Sequence, residues 1–92
     1  MIVGFRHKGL KRLFERDDAS GVRHDLLDKC RTILAQLNEA ETIEDMRMTS
    51  FHLHALKGDM KGLWSVTVRA NWRIVFRFAD GHADAVDLVD YH

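Results

Sequence analysis

The chain has 92 residues, 46% hydrophobic and 30% charged, with 14 Lys+Arg balanced by 14 Asp+Glu. That is enough for one small domain, expected to span residues 1–92, and it excludes a disordered chain. No stretch approaches the ~20 apolar residues of a membrane span, and "MIVGFRHKGLKRLF" lacks the apolar core of a secretory leader, so a cytoplasmic protein without a membrane partner is expected.

In chain order, "MIVGFRH" alternates Val3 and Phe5 with smaller or polar residues and predicts a short strand. "KGLKRLFER" places Leu10, Leu13 and Phe14 at helical spacing, and "DDASG" reads as a loop. "HDLLDKCRTILAQLNEAE" carries Leu26, Leu27, Cys30, Ile33, Leu34 and Leu37 on one stripe, an amphipathic helix. The single cysteine cannot form an internal disulfide and reads as a small core residue of that stripe. In and after the acidic connector "ETIEDMRM", Met46, Met48 and Phe51 are expected to be core rather than an exposed contact.

Four strand-like stretches follow: "FHLH", "LWSVTVRA", "WRIVFRF" and "ADAVDLVDY". The predicted order is β-α-α-β-β-β-β, an α+β fold with two helices on one face of a mainly antiparallel sheet.

Register decides what the other face carries. A two-residue loop between "WSVTVRA" and "WRIVFRF" would pair Val68 with Arg73 and mix apolar with cationic residues. A three-residue loop, Ala70-Asn71-Trp72, pairs Arg69 with Arg73, Thr67 with Val75 and Ser65 with Arg77. It leaves Trp64, Val66, Val68, Ile74, Phe76 and Phe78 together on the inner face, so the odd loop is predicted. The same logic at Asp80-Gly81-His82 puts Val86 and Leu88 inward beside Phe76 and Ile74. Tyr91 then turns outward beside Asn71, near Arg69 and Arg73.

Charge is sorted along the sequence. Residues 1–16 carry five basic and one acidic side chain (5 − 1 = +4), and 17–50 carry four and eight (4 − 8 = −4). Residues 51–78 carry five and one (5 − 1 = +4), and 79–92 carry none and four (0 − 4 = −4). Sorted blocks of this kind either pair across the fold or present a basic face to a polyanion. Arginine donates two parallel hydrogen bonds to phosphate, so Arg69 and Arg73, flanked by Lys57, Lys61 and Tyr91, suit an RNA backbone and a stacked base. Plain sheet solubility, with Arg77 paired to Asp87, is the competing explanation.

His52, His54 and His92 add imidazoles, and Asp90 a carboxylate. Cleavage of RNA through its own 2′-hydroxyl needs a base, an acid for the leaving 5′-oxygen and a cation for the phosphorane, a set these residues can fill. The three histidines lack a thiolate and an evident fourth ligand for a metal. No metal and no cofactor is expected. His7 and His24 read as surface residues, His82 as a turn residue.

"GFRHKGLKRLFE", "LHALKGDMKGLWSVTVRANWRIVFRF" and the final "DYH" resemble the HigB toxins, a branch of the RelE/ParE superfamily of bacterial toxin–antitoxin systems. The similarity runs from end to end. It implies two helices on a small curved antiparallel sheet and an endoribonuclease that cuts mRNA in the ribosomal A site. It also implies a HigA-like helix-turn-helix antitoxin as partner, with operator DNA bound only through the toxin–antitoxin complex. Carried over by position, the family's active-site positions fall on His54, Lys57, Asn71, Arg73, Asp90, Tyr91 and His92. Arg73 would stabilise the transition state, with Lys57 holding the strand, and His54 and His92 would carry protons. Asp90 would act as base or orient an imidazole, and Tyr91 would stack on a base or bond the phosphate. One departure is Ala55, where the motif usually has proline. Two other functions fit the same fold: gyrase inhibition, as in the ParE branch, and an inactive binding module. The set His54, Asp90, Tyr91 and His92 argues against both.

Overall fold

Helix α1 (Lys8–Arg16) starts at His7, whose Nδ1 accepts the backbone N–H of Leu10 at 3.0 Å in the computed structural model, which describes residues 1–91. His7 is therefore a helix cap and not the bland surface residue expected: a neutral imidazole with an open lone pair does what a Ser or Asp side chain does at this position. The helix stops at Asp17, left-handed at φ 54°, whose N–H closes on Leu13 O at 3.1 Å while that of Asp18 closes on Arg12 O at 3.2 Å. Leu10 and Leu13 are buried; Phe14 packs against Phe5 with ring centroids 5.8 Å apart.

Gly9 faces Gly21 backbone to backbone. A Cβ at Gly21 would lie 2.6 Å from Gly9 Cα, and one at Gly9 would overlap the Gly21 carbonyl. Neither neighbour is a flexible side chain, so Gly9→Ala is expected to lower stability by about 1–3 kcal/mol, towards the upper end, read from the midpoint of urea unfolding.

A 3₁₀ turn, His24–Leu26, leads into α2 (Leu27–Glu39). The predicted stripe is the core: Leu26, Cys30, Ile33, Leu34 and Leu37 are buried, and Leu27 packs at its edge. Burial pushes the Cys30 thiol up to about 11 from an ordinary value of 9.0. Because the folded pKa is the higher one, this stabilisation is complete below pH 9 and is lost as pH rises from there to about 11, where the unfolded thiol ionises first. The native protein is therefore expected to leave a thiol-reactive dye uncoloured at pH 8, with full reaction appearing only on unfolding.

The connector holds two more 3₁₀ turns, Ile43–Met46 and Thr49–Phe51, which bury Met46 and Phe51 completely. Met48 stays 42% exposed, against expectation. "FHLH" is not a strand either. Its first residue closes the 3₁₀ turn, His52 is left-handed at φ 48°, and strand β1 is only His54–Ala55. The need to bury Phe51 breaks the alternation. Ala55, standing where proline is usual, pairs normally with Trp64 in β2.

Strands β2 (Trp64–Arg69), β3 (Trp72–Ala79) and β4 (His82–Asp90) complete an antiparallel sheet in the order β1-β2-β3-β4. The first segment of the chain is a partial fifth rib. Ile2 and Phe5 form parallel bridges with Ala83 and Val86, but no continuous strand forms, and β4 bulges between them at Ala85, φ 51°.

The predicted three-residue loop between β2 and β3 is corrected to two residues. Arg69 pairs with Trp72 across Ala70-Asn71, with Thr67 opposite Arg73 and Ser65 opposite Val75. A bulge at Val68 supplies the odd residue, so Val66, Val68, Ile74 and Phe76 still share the buried face. The β3–β4 hairpin repeats the device. Its two-residue turn has φ 53° at Asp80 and 77° at Gly81, and the bulge at Ala85 restores Leu88 opposite Ile74 as predicted. Arg77 faces Asp84 rather than Asp87, whose Oδ1 instead accepts the N–H of Leu88. Both helices pack on the inner face of the sheet, leaving the other face open along β1–β3.

Candidate functional site

On the open face the strands enclose a groove of about 270 Å³ lined by His52, His54, Leu56, Ser65, Thr67, Arg73 and Tyr91. Its floor is Ser65 on β2, 6% exposed, with Leu56 beside it. Alternation along β2 aims Ser65 and Thr67 the same way, and the register sets His54 against Ser65 and Arg73 against Thr67. His52, turned by its left-handed backbone, joins His54 from the preceding loop.

Arg73 is half-buried, with Nη1 donating to Ala70 O at 2.6 Å and to Trp72 O at 3.2 Å. Both acceptors belong to the β2–β3 hairpin, so the loop fixes the cation without neutralising it and leaves the rest of the guanidinium to face the groove. Tyr91 N–H donates to Asn71 O at 2.7 Å, extending the β3–β4 ladder by one residue, and the ring of Tyr91 stands 46% exposed at the rim. Asn71 meets Tyr91 through its backbone and is not part of the groove lining.

The remaining predicted residues lie elsewhere. Arg69, expected beside Arg73, is across from Trp72 because the Val68 bulge reverses its side. Its guanidinium reaches Asp25 at 3.8 Å on the helical side, where Arg23 also binds Asp25 at 2.8 Å and covers the Trp72 ring at 5.5 Å. Asp90 pairs with Trp72, so strand alternation turns its side chain to the opposite face from Tyr91. Lys57 and Lys61 are exposed on either side of the Gly58–Met60 turn, outside the groove lining. His92 lies outside the described residues. The groove therefore gathers His54, Arg73 and Tyr91 from the predicted set, and adds His52, Ser65, Thr67 and Leu56. The alternation of "WSVTV" already carried the signal for the two hydroxyls; nothing in the sequence gave the φ of His52.

Chemically the groove is a fixed cation, two imidazoles, two hydroxyls and a phenol on a shallow concave surface, a donor set suited to a phosphodiester. Among the described residues, no three His, Cys, Asp or Glu side chains converge as metal ligands. No helix among them is long and apolar enough to cross a membrane.

The backbone is that of known toxins. It superposes on YoeB in the YoeB–YefM toxin–antitoxin complex from Staphylococcus aureus with a TM-score of 0.63 at 17% identity, covering 100% of this chain and 95% of that one. YafQ from Escherichia coli strain BL21(DE3) gives 0.65 at 15% identity, covering 98% and 91%. In sequence, the chain is 46% identical to a Proteus vulgaris protein named endoribonuclease HigB over 92 residues, the whole of both chains. The pattern of the HigB-like toxin family, described as the RelE-like toxin of the type II toxin–antitoxin system HigB, matches residues 3–92. With family pattern, full-length relative and fold in agreement, this chain belongs to the HigB toxins of the RelE superfamily.

Proposed function

We propose that the chain acts as a single toxin domain that cleaves mRNA in the ribosomal A site and is neutralised by a HigA-like helix-turn-helix antitoxin. The observation that carries this reading is the groove: Arg73, held by its own hairpin, with His54 and His52 across β2 from it. The name of the Proteus vulgaris relative, at 46% identity, supports RNA as the substrate. Operator DNA is met only through the antitoxin complex, and the site of action is the cytoplasm.

The reaction is transesterification followed by release. A base removes the 2′-hydroxyl proton, and the 2′-oxygen attacks the adjacent phosphorus. The bond to the 5′-oxygen breaks as an acid protonates that oxygen. The products are a 2′,3′-cyclic phosphate and a 5′-hydroxyl, with no oxidant, metal or cofactor consumed. Arg73 meets the charge that grows on the non-bridging oxygens. His54 and His92 exchange the protons, and Tyr91 holds a base or the phosphate at the rim. Lys57 and Lys61 on the neighbouring turn, with Asn71 at the hairpin, guide the strand by charge and polarity. Asp90 orients an imidazole, and Arg69, on the opposite face, acts through its hairpin. The ribosome supplies positioning that a shallow groove cannot.

The chemistry is tested by end-group analysis of mRNA cut on translating ribosomes. Cyclic-phosphate and 5′-hydroxyl ends are expected. Ends bearing a 5′-phosphate would exclude this mechanism.

A further inference from the structure

At the far end of the sheet a second groove, about 710 Å³, runs between the C-terminal end of α2 and the β3–β4 turn. It lies about 20 Å from Arg73 along β3, six residues at strand rise, and opens on the helical side. Ile43, Trp64 and Phe78 give it an apolar floor, and Glu39, Glu41 and Asp80 form an acidic rim. No Lys or Arg lines it, and its one cation, the Met1 ammonium, is engaged with Gly81 O at 2.9 Å. The five ion pairs among the described residues involve Asp17, Asp18, Asp25 and Glu44, and none of the three rim carboxylates.

We propose that this groove is a docking site for the antitoxin, taking a segment that carries aliphatic side chains for the aromatic floor and Lys or Arg for the rim. Apolar area with half-buried aromatics and a net negative rim, three carboxylates against one ammonium, is the complement of such a segment. A second copy of this chain fits less well. Its basic α1 face, Lys8, Lys11, Arg12 and Arg16 around Glu15, presents no aliphatic residue to fill the floor. The proposal rests on the family's having a protein antitoxin and is independent of RNA cleavage.

The test measures, by calorimetry, binding of the antitoxin encoded beside this toxin to the full chain and to two variants. The first, Glu39→Gln/Glu41→Gln/Asp80→Asn, changes only exposed side chains; the second is Ile43→Asp. Roughly tenfold or greater weakening is expected in both. Added salt should weaken the wild type more than the first variant. Unfolding midpoints of the free toxins report whether each variant is folded, and mRNA cleavage by the first should match wild type. Wild-type affinity in the folded triple variant would overturn the proposal. So would a variant that altered self-association of the toxin alone while leaving antitoxin binding intact.

Discussion

Arg73→Ala is expected to lower mRNA cleavage by about 10²–10³-fold while leaving the protein folded. The size follows from removing a preorganised cation at developing phosphorane charge. The fold survives because Arg73 is half-buried on the helix-free face, and the carbonyls it binds, Ala70 and Trp72, lie in a hairpin open to water. Arg73→Lys keeps a point charge but loses the planar fork, and intermediate activity is expected. Arg77→Ala removes an exposed cation of the same sheet outside the groove lining and should match wild type. Single-turnover rates on programmed ribosomes separate the three, with the loss in the Arg73 variants falling on the cleavage rate. Equal loss in Arg77→Ala would mean that net charge, and not placement, does the work.

The second large effect is on stability. Phe51 is fully buried directly before the histidine pair, with the Lys29 ammonium 5.7 Å from its ring centroid and donating to Ser50 O at 3.1 Å. It pegs the segment from which His52 and His54 enter the groove. Phe51→Ala is expected to cost about 3–5 kcal/mol. For a domain whose total stability is about 5–15 kcal/mol, that lowers the melting temperature by roughly 12–40 °C. Phe51→Leu refills most of the volume and should cost less than about 1.5 kcal/mol. Thermal unfolding followed by circular dichroism reads both. Cleavage should fall in the alanine variant even at temperatures where it remains folded, because the peg of the imidazole segment is lost.

What the sequence made legible follows from where one physical signal was enough. The stripe from Leu26 to Leu37 needed only helical period and became α2. The two faces of the sheet needed only parity, which is why Arg73, Thr67 and Ser65 were placed together although the loop length was misjudged. Parity is blind to a bulge. Val68 and Ala85 each add a residue without exchanging the buried faces, and Arg69, caught between bulge and turn, is carried to the helical side.

Left-handed residues are equally silent when they are not glycine. His52 and Asp17 adopt positive φ because Phe51 and the end of α1 require it, and no turn dipeptide announces either. The His7 cap was hidden because imidazole is an uncommon acceptor at a helix start. Asp90 was legible as an alternation problem, since neighbouring residues of one strand cannot both face Arg73. Grouping it with Tyr91 by proximity in sequence ignored that. The resemblance carried by "LKGD", "NWR" and "DYH" identified the family without any of this geometry, and the geometry says which of those residues share a groove.

Cleavage of mRNA on the ribosome is checked by mapping mRNA 5′ ends by primer extension in a translating extract, with and without an inhibitor of initiation. New ends within codons of the reading frame are expected, disappearing when initiation is blocked and absent with Arg73→Ala. Intact mRNA under active translation, or the same cuts in naked RNA regardless of reading frame, would contradict it.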